Sequence, residues 1–362
     1  MRILINLLSE QTIQNIVAIR HFEADKVIVL TTPEYIWQVD NFEKITGVPH
    51  EKIEVLAYSM QNNMQQLTSV IEQFSENDIV VNYTGGTKIM AMAVMLKVLL
   101  SVRKRVSLAY VNTRDLLIEE MIINEDKTLT AENHILTQSV SINEYFIMKG
   151  ESIDSYDFEL NKSEEERLLL SKQLMKNNVY LSLFRKQQKF FIRGIPLVSH
   201  RVATSNKFDL FWDKDEILLR QGNKVYDYKH GDGGQYFTGA WLEELIFDKL
   251  HKSDRFDNVI KNLKINFKSG LERFNKNEMD VVVTKGFKTA FVECKAGNIK
   301  QEHIYKLRAI TDYFLGSFGV AIIVARFKPQ ENIIEKCKDL GVHIFTNIEF
   351  DYLDVEIEKL LK

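Results

Sequence analysis

Three residues in the last third of the chain define the chemistry it can attempt. Asp280 opens the run Asp280-Val-Val-Val-Thr284, and Glu293-Cys294-Lys295 ends the run that begins at Thr289. Between them, Lys285-Gly286-Phe287-Lys288 reads as the loop of a β-hairpin. With that four-residue loop Thr284 faces Thr289, and counting back along both strands sets Asp280 opposite Glu293. Opposed residues share a sheet face, with Cβ atoms about 4.5–5.5 Å apart. Lys295 lies two residues beyond Glu293 and projects from the same face, while Cys294 points to the other. Two carboxylates this close repel each other unless a cation lies between them. Hard oxygen ligands suit Mg²⁺ or Mn²⁺, and such an ion acidifies a bound water and neutralises charge building at phosphorus. Lys295 is placed to orient the attacking water or to stabilise the developing charge. Phosphodiester hydrolysis uses all three groups. A bare Glu-x-Lys is usually a solvated charged edge; the aspartate in register is what raises it above that.

The elements that must position these residues follow an α-β-β-β-α-β order. A helix over Thr238–Lys249 carries Gly239-Ala240-Trp241-Leu242-Glu243-Glu244 and offers another carboxylate. A basic strand-like segment (Val259–Phe267), the two hairpin strands, a helix over Gln301–Phe314 and a buried strand (Gly319–Ala325) follow. Lys261, Lys264, Lys268, Arg273 and Lys276 form a basic cluster upstream of the hairpin, able to track a phosphate backbone.

This arrangement resembles the PD-(D/E)xK, or restriction-endonuclease-like, superfamily over about 100 residues. The resemblance implies a site made from a helix glutamate, Asp280, Glu293 and Lys295, with Gln301 on the next helix assisting. Glu243, four residues after Gly239, is the preferred helix carboxylate and Glu244 the alternative. Metal ligands are then Asp280, Glu293 and Glu243. Met279 stands where the superfamily's name has Pro, a position that varies within it.

The first part of the chain alternates strand and helix signals. Arg2–Leu8, Lys26–Leu30, the strand beginning at Asp78 and Val106–Val111 are apolar runs, and an amphipathic segment starts at Ile13. Strands apolar on both faces and separated by helices predict a parallel sheet covered on both sides, Rossmann-like and ending near residue 140. Asn82-Tyr83-Thr84-Gly85-Gly86-Thr87-Lys88 leads from a strand into a helix over Ile89–Val102. Glycines there free the backbone to approach a ligand, and the helix N-terminus favours an anion. It is not a Walker loop: the spacer before Gly-Lys is absent and Ile89 follows the lysine. Met90, Met92 and Met95 sit among Ile, Val and Leu and read as core.

Beside Ser9-Glu10-Gln11-Thr12 after the first strand, this loop resembles the CRISPR-associated Rossmann fold, or CARF, domain. Fused to the C-terminal motif it resembles the CARF nucleases of type III CRISPR systems over nearly the whole chain. The implied fold is α/β, an N-terminal Rossmann-like CARF domain (1–142) plus a C-terminal restriction-endonuclease-like domain (234–362). An intermediate segment (143–233), with a winged-helix-like fold as one reading, joins them. It opens with a helix over Ser163–Lys176, capped by Ser163, and ends in the polar hinge Lys229–Gln235.

The resemblance also implies a homodimer whose paired CARF domains bind a cyclic oligoadenylate, most often cyclic tetra-adenylate. Ligand contacts fall on Ser9, Gln11, Thr12, Thr31, Asn82, Thr84, Gly85, Gly86, Thr87, Lys88 and Asn112. Binding would bias a metal-dependent endonuclease that cleaves single-stranded DNA or RNA or nicks duplex DNA in antiviral defence. One rival is a CARF regulator that binds nucleic acid without cutting; it has no need of the Asp280, Glu293, Lys295 register. Another is a ring nuclease degrading its own ligand, but no general base sits beside Thr87 and Lys88.

Bulk properties fit. The chain has 362 residues, 45% hydrophobic and 27% charged, enough for two or three folded domains. A net charge of −3 gives no global attraction to polyanions, so local clusters must hold them. Two cysteines, Cys294 and Cys337, form no metal-ligand spacing or disulfide framework. Lysines interrupt the apolar runs before a membrane span. A cytoplasmic protein without membrane attachment is expected.

Overall fold

The apolar runs of the first 140 residues become the central strands of a seven-stranded sheet in the order β3-β2-β1-β4-β5-β6-β7. These are β1 (Arg2–Leu7), β2 (Lys26–Thr31), β3 (His50–Glu54), β4 (Asp78–Asn82), β5 (Val106–Asn112), β6 (Leu117–Ile123) and β7 (Leu129–Ile135). The first five are parallel, and β6 and β7 extend the edge antiparallel. The structure is a computed structural model and describes residues 1–100, 106–124, 126, 128–176, 200–204, 208–212, 216–221, 223–229, 235–266 and 278–362. Residues 230–234 of the expected hinge, positions 101 and 102 of the expected helix, Phe267, Lys268, Arg273 and Lys276 lie outside the described residues.

Helices α1 (Ile13–Phe22) and α2 (Val39–Thr46) cover one sheet face, where Ile16, Val17 and Phe42 pack on Leu4, Val29 and Val80. Helices α3 (Met60–Gln73) and α4 (Lys88–Leu100) cover the other, where Leu67, Val70, Met90 and Val94 pack on Ile3, Ile5 and Ile28. Burial on both faces is why these strands carry no polar alternation. The chain leaves β1 toward one face and β4 toward the other, so a crevice opens between their C-terminal ends. Ligands of open α/β sheets bind at such a switch point.

The C-terminal sheet has six strands, ordered β17-β16-β15-β14-β13-β8. They are β8 (Ser152–Asp157), β13 (Asn258–Asn266), β14 (Glu278–Lys285), β15 (Lys288–Lys295), β16 (Gly319–Ala325) and β17 (Val342–Phe345). Helix α6 (Lys162–Lys176) and α7 (Trp241–His251) pack on one face, together with α10 (Leu353–Leu360). On the other face lie α8 (Gln301–Leu315) and α9 (Glu331–Asp339). Residues of the intermediate segment thus enter this body: β8 pairs with β13, and Leu170, Leu174 and Met175 of α6 join the core of α7. The N-cap of α6 is Asn161, not Ser163; Asn161 Oδ1 accepts from Glu164 N and Glu164 Oε2 accepts from Asn161 N, a reciprocal cap. Strands β9 (His200–Thr204), β10 (Phe208–Trp212), β11 (Glu216–Gln221) and β12 (Lys224–Lys229) form a separate antiparallel meander. No described helix is long and apolar enough to cross a membrane.

Helix α5 (Ile142–Met148) joins the two halves. Glu144 binds Arg20 of α1 at 2.5 Å, the Tyr145 hydroxyl donates to the Phe287 carbonyl, and Phe146 packs on Phe314 with ring centroids 4.3 Å apart.

Gly85 shows how tightly the crevice is built. A Cβ there would stand 2.2 Å from the Leu7 carbonyl oxygen at the end of β1. Backbone cannot yield as a flexible side chain does, so Gly85→Ala is expected to lower stability by about 1–3 kcal/mol. Thermal unfolding measures this, and an unchanged midpoint would show that the two loops are not in contact.

Candidate active site

The hairpin forms with the expected register but a shorter turn. Thr284 faces Thr289 and Val281 faces Val292, while Lys285 and Lys288 also pair, leaving only Gly286 and Phe287 in the turn. Gly286 has φ +59, which a two-residue hairpin turn tolerates best in glycine. Asp280 is the next residue of β14. Its carboxylate is 7% exposed and Oδ2 accepts from the Cys294 backbone N at 2.7 Å. Glu293 and Lys295 form an ion pair with each other.

A five-residue π-helical turn, Tyr236–Ala240, feeds α7 and sets its start. Such turns are common at functional sites. Glu243 lies in the first turn of α7, and its carboxylate lies 3.7 Å from where a Cβ on Gly239 would be. The helix N-terminus favours negative charge there. The two glutamates separate cleanly. Glu244 is buried in a two-pronged ion pair with Arg167 of α6, with Arg167 Nε 2.9 Å from Oε2. Glu243, Asp280 and Lys295 line one cavity of about 1300 Å³, which the Arg167–Glu244 pair also borders, with Lys300 and His303 of the α8 start on its wall. Gln301 is exposed in the first turn of α8 and the structure does not bring it into that wall.

Charges in the cavity act on one another. Burial pushes the Asp280 carboxyl well above the usual range, and the Glu293 and Glu243 carboxylates push the same way; Lys295 and the Cys294 N–H oppose. Burial alone would lower Lys295, but Glu293 and Asp280 outweigh it and hold the ammonium protonated. His303 is lowered by burial and then by Lys295, which favours neutral imidazole. Burial raises the Cys294 thiol, so it is no thiolate ligand. A divalent cation fits this donor set, because like-charged hard oxygens converge where only a cation relieves them. The carboxylates here are turned to local partners, Asp280 to Cys294 N and Glu293 to Lys295. Among the described residues, the group with three ligand atoms all within 4.8 Å of one another is Glu120, Glu132 and His134 on β6 and β7. There His134 Nε2 is in hydrogen-bond contact with Glu120 Oε2 at 2.9 Å.

The motif alone did not point to His303, Lys300 or the α6 residues Asn161, Ser163, Glu164 and Arg167, which also line the cavity. Lys300 and His303 stand one helical turn apart, a faint signal; α6 reaches the site only through tertiary packing. The basic cluster needs correction. Lys261 is 3% exposed and bound to both Glu164 oxygens, so it does not track phosphate. Lys264 is exposed on the cavity rim.

In the N-terminal half the expected ligand residues gather around the crevice, and many already have structural partners. Asn82 Nδ2 donates to Asn6 Oδ1 (2.9 Å) and Asn15 Oδ1 (3.0 Å), while its Oδ1 accepts from Thr84 N and Oγ1. All four of its bonding positions are used. Thr84 Oγ1 accepts from Val111 N, and Thr87 Oγ1 donates to Ala57 O and accepts from Met90 N. Asn112 holds the turn at Arg114 and Asp115. Thr12 and Thr31 are buried, and Ser9 is half-buried. Gln11 turns to the other domain, its Oε1 accepting from Ser317 Oγ at 3.3 Å. The Gly85-Gly86 backbone, the α4 N-terminus and exposed Lys88 remain as the groups suited to an anion. The methionine reading holds for Met90, which is fully buried, and for Met95, which is partly buried against the same core; Met92 is 52% exposed. It belongs to an outward stripe with Leu96, Leu99 and Leu100.

Comparison with known proteins agrees with this division. The Card1 CARF domain family matches residues 3–145, and the Card1-like endonuclease domain family matches residues 232–360. Among solved structures, Can2 from Sulfobacillus thermosulfidooxidans in complex with cyclic tetra-adenylate superposes with TM-score 0.75 at 18% identity, covering 100% of both chains. Protein VC1899 from Vibrio cholerae gives TM-score 0.75 at 12% identity, covering 99% of this chain and 98% of that one. A type III CRISPR defence DNA nuclease activated by cyclic oligoadenylate gives 0.54 at 15% identity, covering 95% of this chain but 50% of that one. These identities establish a shared fold. No match was found among curated proteins.

The crowding of Asp280 has a sign that can be measured. Its raised value means that the folded state binds the proton more tightly than the unfolded chain. The associated stability is full below the ordinary carboxylate range and is lost as pH rises through the raised value. With a chelator present, Asp280→Asn is expected to raise the unfolding midpoint near neutral pH, by roughly 2–4 °C per kcal/mol relieved. In acid the two proteins should match. A wild-type midpoint that exceeds the variant's at neutral pH would contradict the crowding.

Proposed function

We propose that this chain, which matches the Card1 CARF domain family over residues 3–145 and the Card1-like endonuclease domain family over residues 232–360, is a metal-dependent endonuclease switched on by a cyclic oligoadenylate, most simply cyclic tetra-adenylate, in type III CRISPR antiviral defence. The observation that carries the reading is the single cavity shared by Glu243, Asp280 and Lys295, with Glu293 paired to that lysine. We place the sensor at 1–142 and the nuclease from 234 onward, with 143–233 supplying β8 and α6 to the nuclease body and most of α5 to the junction.

Asp280, Glu293 and Glu243 are the residues that would hold Mn²⁺ or Mg²⁺. When bound, such an ion polarises the phosphodiester and acidifies water. Lys295 keeps its proton under the influence of Glu293 and Asp280, so it donates hydrogen bonds and stabilises negative charge on phosphate oxygens. It is a poor general base. Burial keeps His303 neutral beside it, which suits an imidazole that orients a water without adding charge. Lys264 and Lys300 flank the opening and attract the polyanion.

In the sensor, the side-chain bonds of Asn82, Thr84 and Thr87 fix the loop, and its backbone and the α4 N-terminus meet the phosphates. A homodimer is supported by the stripe of Met92, Leu96, Leu99 and Leu100 on α4, spaced i, i+4, i+7, i+8 beside that loop. An exposed apolar face of this kind marks an interaction surface. Activation has a route. The Ser9–Thr12 loop abuts Gly316 and Ser317 just after α8, whose other end carries Lys300 and His303 to the active cavity.

Labelled single- and double-stranded DNA and RNA, incubated with Mn²⁺ or Mg²⁺ with and without cyclic tetra-adenylate, test the reading. Cleavage that requires ligand and metal is expected; failure to cut any substrate would favour a regulator that only binds. Glu293→Ala and Lys295→Ala should each reduce cleavage by at least about 10²-fold while ligand affinity stays unchanged. Wild-type rates in either would remove the site assignment. Leu96→Glu should convert the dimer to a monomer in light scattering and weaken ligand binding, and a dimer that survives it would move the interface elsewhere.

A further inference from the structure

Helix α6 lies outside both matched family regions, yet it forms one wall of the active cavity. Its apolar side, Leu170, Leu174 and Met175, packs on Trp241, Leu242 and Leu245 of α7. Such contacts are non-directional and by themselves allow one helix to slide over another. Two buried ion pairs remove that freedom. Arg167 meets Glu244 with both prongs of its guanidinium, and the two side chains are 11% and 4% exposed. One turn earlier, Glu164 accepts Lys261 Nζ on both oxygens, at 2.7 and 2.6 Å, with 11% and 4% exposure.

Glu164 and Arg167 are spaced i, i+3 and so share one face of α6. From that face they grip the two elements that carry the carboxylates. Glu244 is the neighbour of Glu243 on α7. Lys261 on β13 pairs with Val281 of β14, the residue after Asp280. The spacing between the helix carboxylate and the strand carboxylate is therefore set through α6. Stability does not explain the pairs, since apolar residues of equal volume often serve a buried seam as well or better. Fixed geometry does explain them, because a bidentate arginine defines both distance and orientation.

We propose that Arg167 and Glu164 are positioning residues of the nuclease, fixing the start of α7 that carries Glu243 against the strand end that carries Asp280. This rests on the nuclease reading above. It is tested by Mn²⁺ binding to the full-length protein without nucleic acid, followed by electron paramagnetic resonance of the free ion, in wild type, Arg167→Met, Arg167→Lys, Glu164→Gln and Asp280→Ala. The Asp280-dependent site is expected to weaken about tenfold or more in Arg167→Met and Glu164→Gln. Arg167→Lys, which keeps the charge but loses a prong, should recover part of that affinity. Far-UV circular dichroism and cyclic tetra-adenylate binding should be unchanged. Wild-type Mn²⁺ affinity in both Arg167 variants, with binding lost in Asp280→Ala, would overturn the positioning role alone. Unaltered binding in Asp280→Ala would instead overturn the site itself. Should Arg167→Met fail to fold, Arg167→Lys decides: reduced affinity supports the role and wild-type affinity ends it.

Discussion

Asp280 stands where burial, Glu293 and Glu243 all oppose its charge. Much of the C-terminal half is arranged so that this crowding persists without breaking the fold. The hairpin turn fixes the register that brings the two strand carboxylates to the sheet end, and the Cys294 N–H and the Lys295 ammonium relieve part of the repulsion. The third carboxylate comes from a helix start, where the backbone dipole offsets part of its cost. A solvated site would not need any of this, because water screens like charges at these distances. Partial burial of the groups strengthens their interactions with phosphate relative to a fully solvated site.

Rigidity extends to the sensor through α5 and α8. The Tyr145 hydroxyl on the Phe287 carbonyl and the Phe146–Phe314 stack tie the hairpin turn and the end of α8 to the N-terminal core. Lys149 adds a bond to the Glu10 carbonyl at 3.3 Å and lies 5.2 Å over the Tyr313 ring. A helix of fifteen residues such as α8 is about 22 Å long and transmits displacement without bending much. Its two ends touch the two places where ligand and substrate are expected.

The parts of this architecture legible in the sequence are those set by local periodicity. Uninterrupted apolar runs gave the central parallel strands, because burial on both faces leaves no polar alternation. The Asp280–Glu293 register followed from a period of two. Edge elements were harder: β3 reads His-Glu-Lys-Ile-Glu and β7 is largely exposed, so neither carries an apolar signature. The turn is two residues shorter than residue types suggest, because Lys285 and Lys288, loop-like in composition, pair with each other. Long-range partners were invisible altogether. Nothing near Lys261 indicates that Glu164, ninety-seven residues earlier, would bury it. Likewise Asn82 looks like a ligand residue until Asn6 and Asn15 are seen to occupy its amide.

That last observation changes what the sensor loop can recognise. With the Asn82, Thr84 and Thr87 side chains engaged inside the protein, the loop offers mainly backbone N–H groups and a helix terminus, which favour phosphate over any particular base. In the proposed homodimer each protomer presents one such terminus, which would face only part of a cyclic polyphosphate. The apolar stripe on α4 begins four residues after Lys88, so a second copy docked there brings a second terminus close to the first. A two-fold ring and a two-fold pair of helix ends are then matched in symmetry. In the proposed homodimer, ring size would be read as the distance between two phosphate sites, and each α8 would receive the same displacement because the contacts on both sides would be identical.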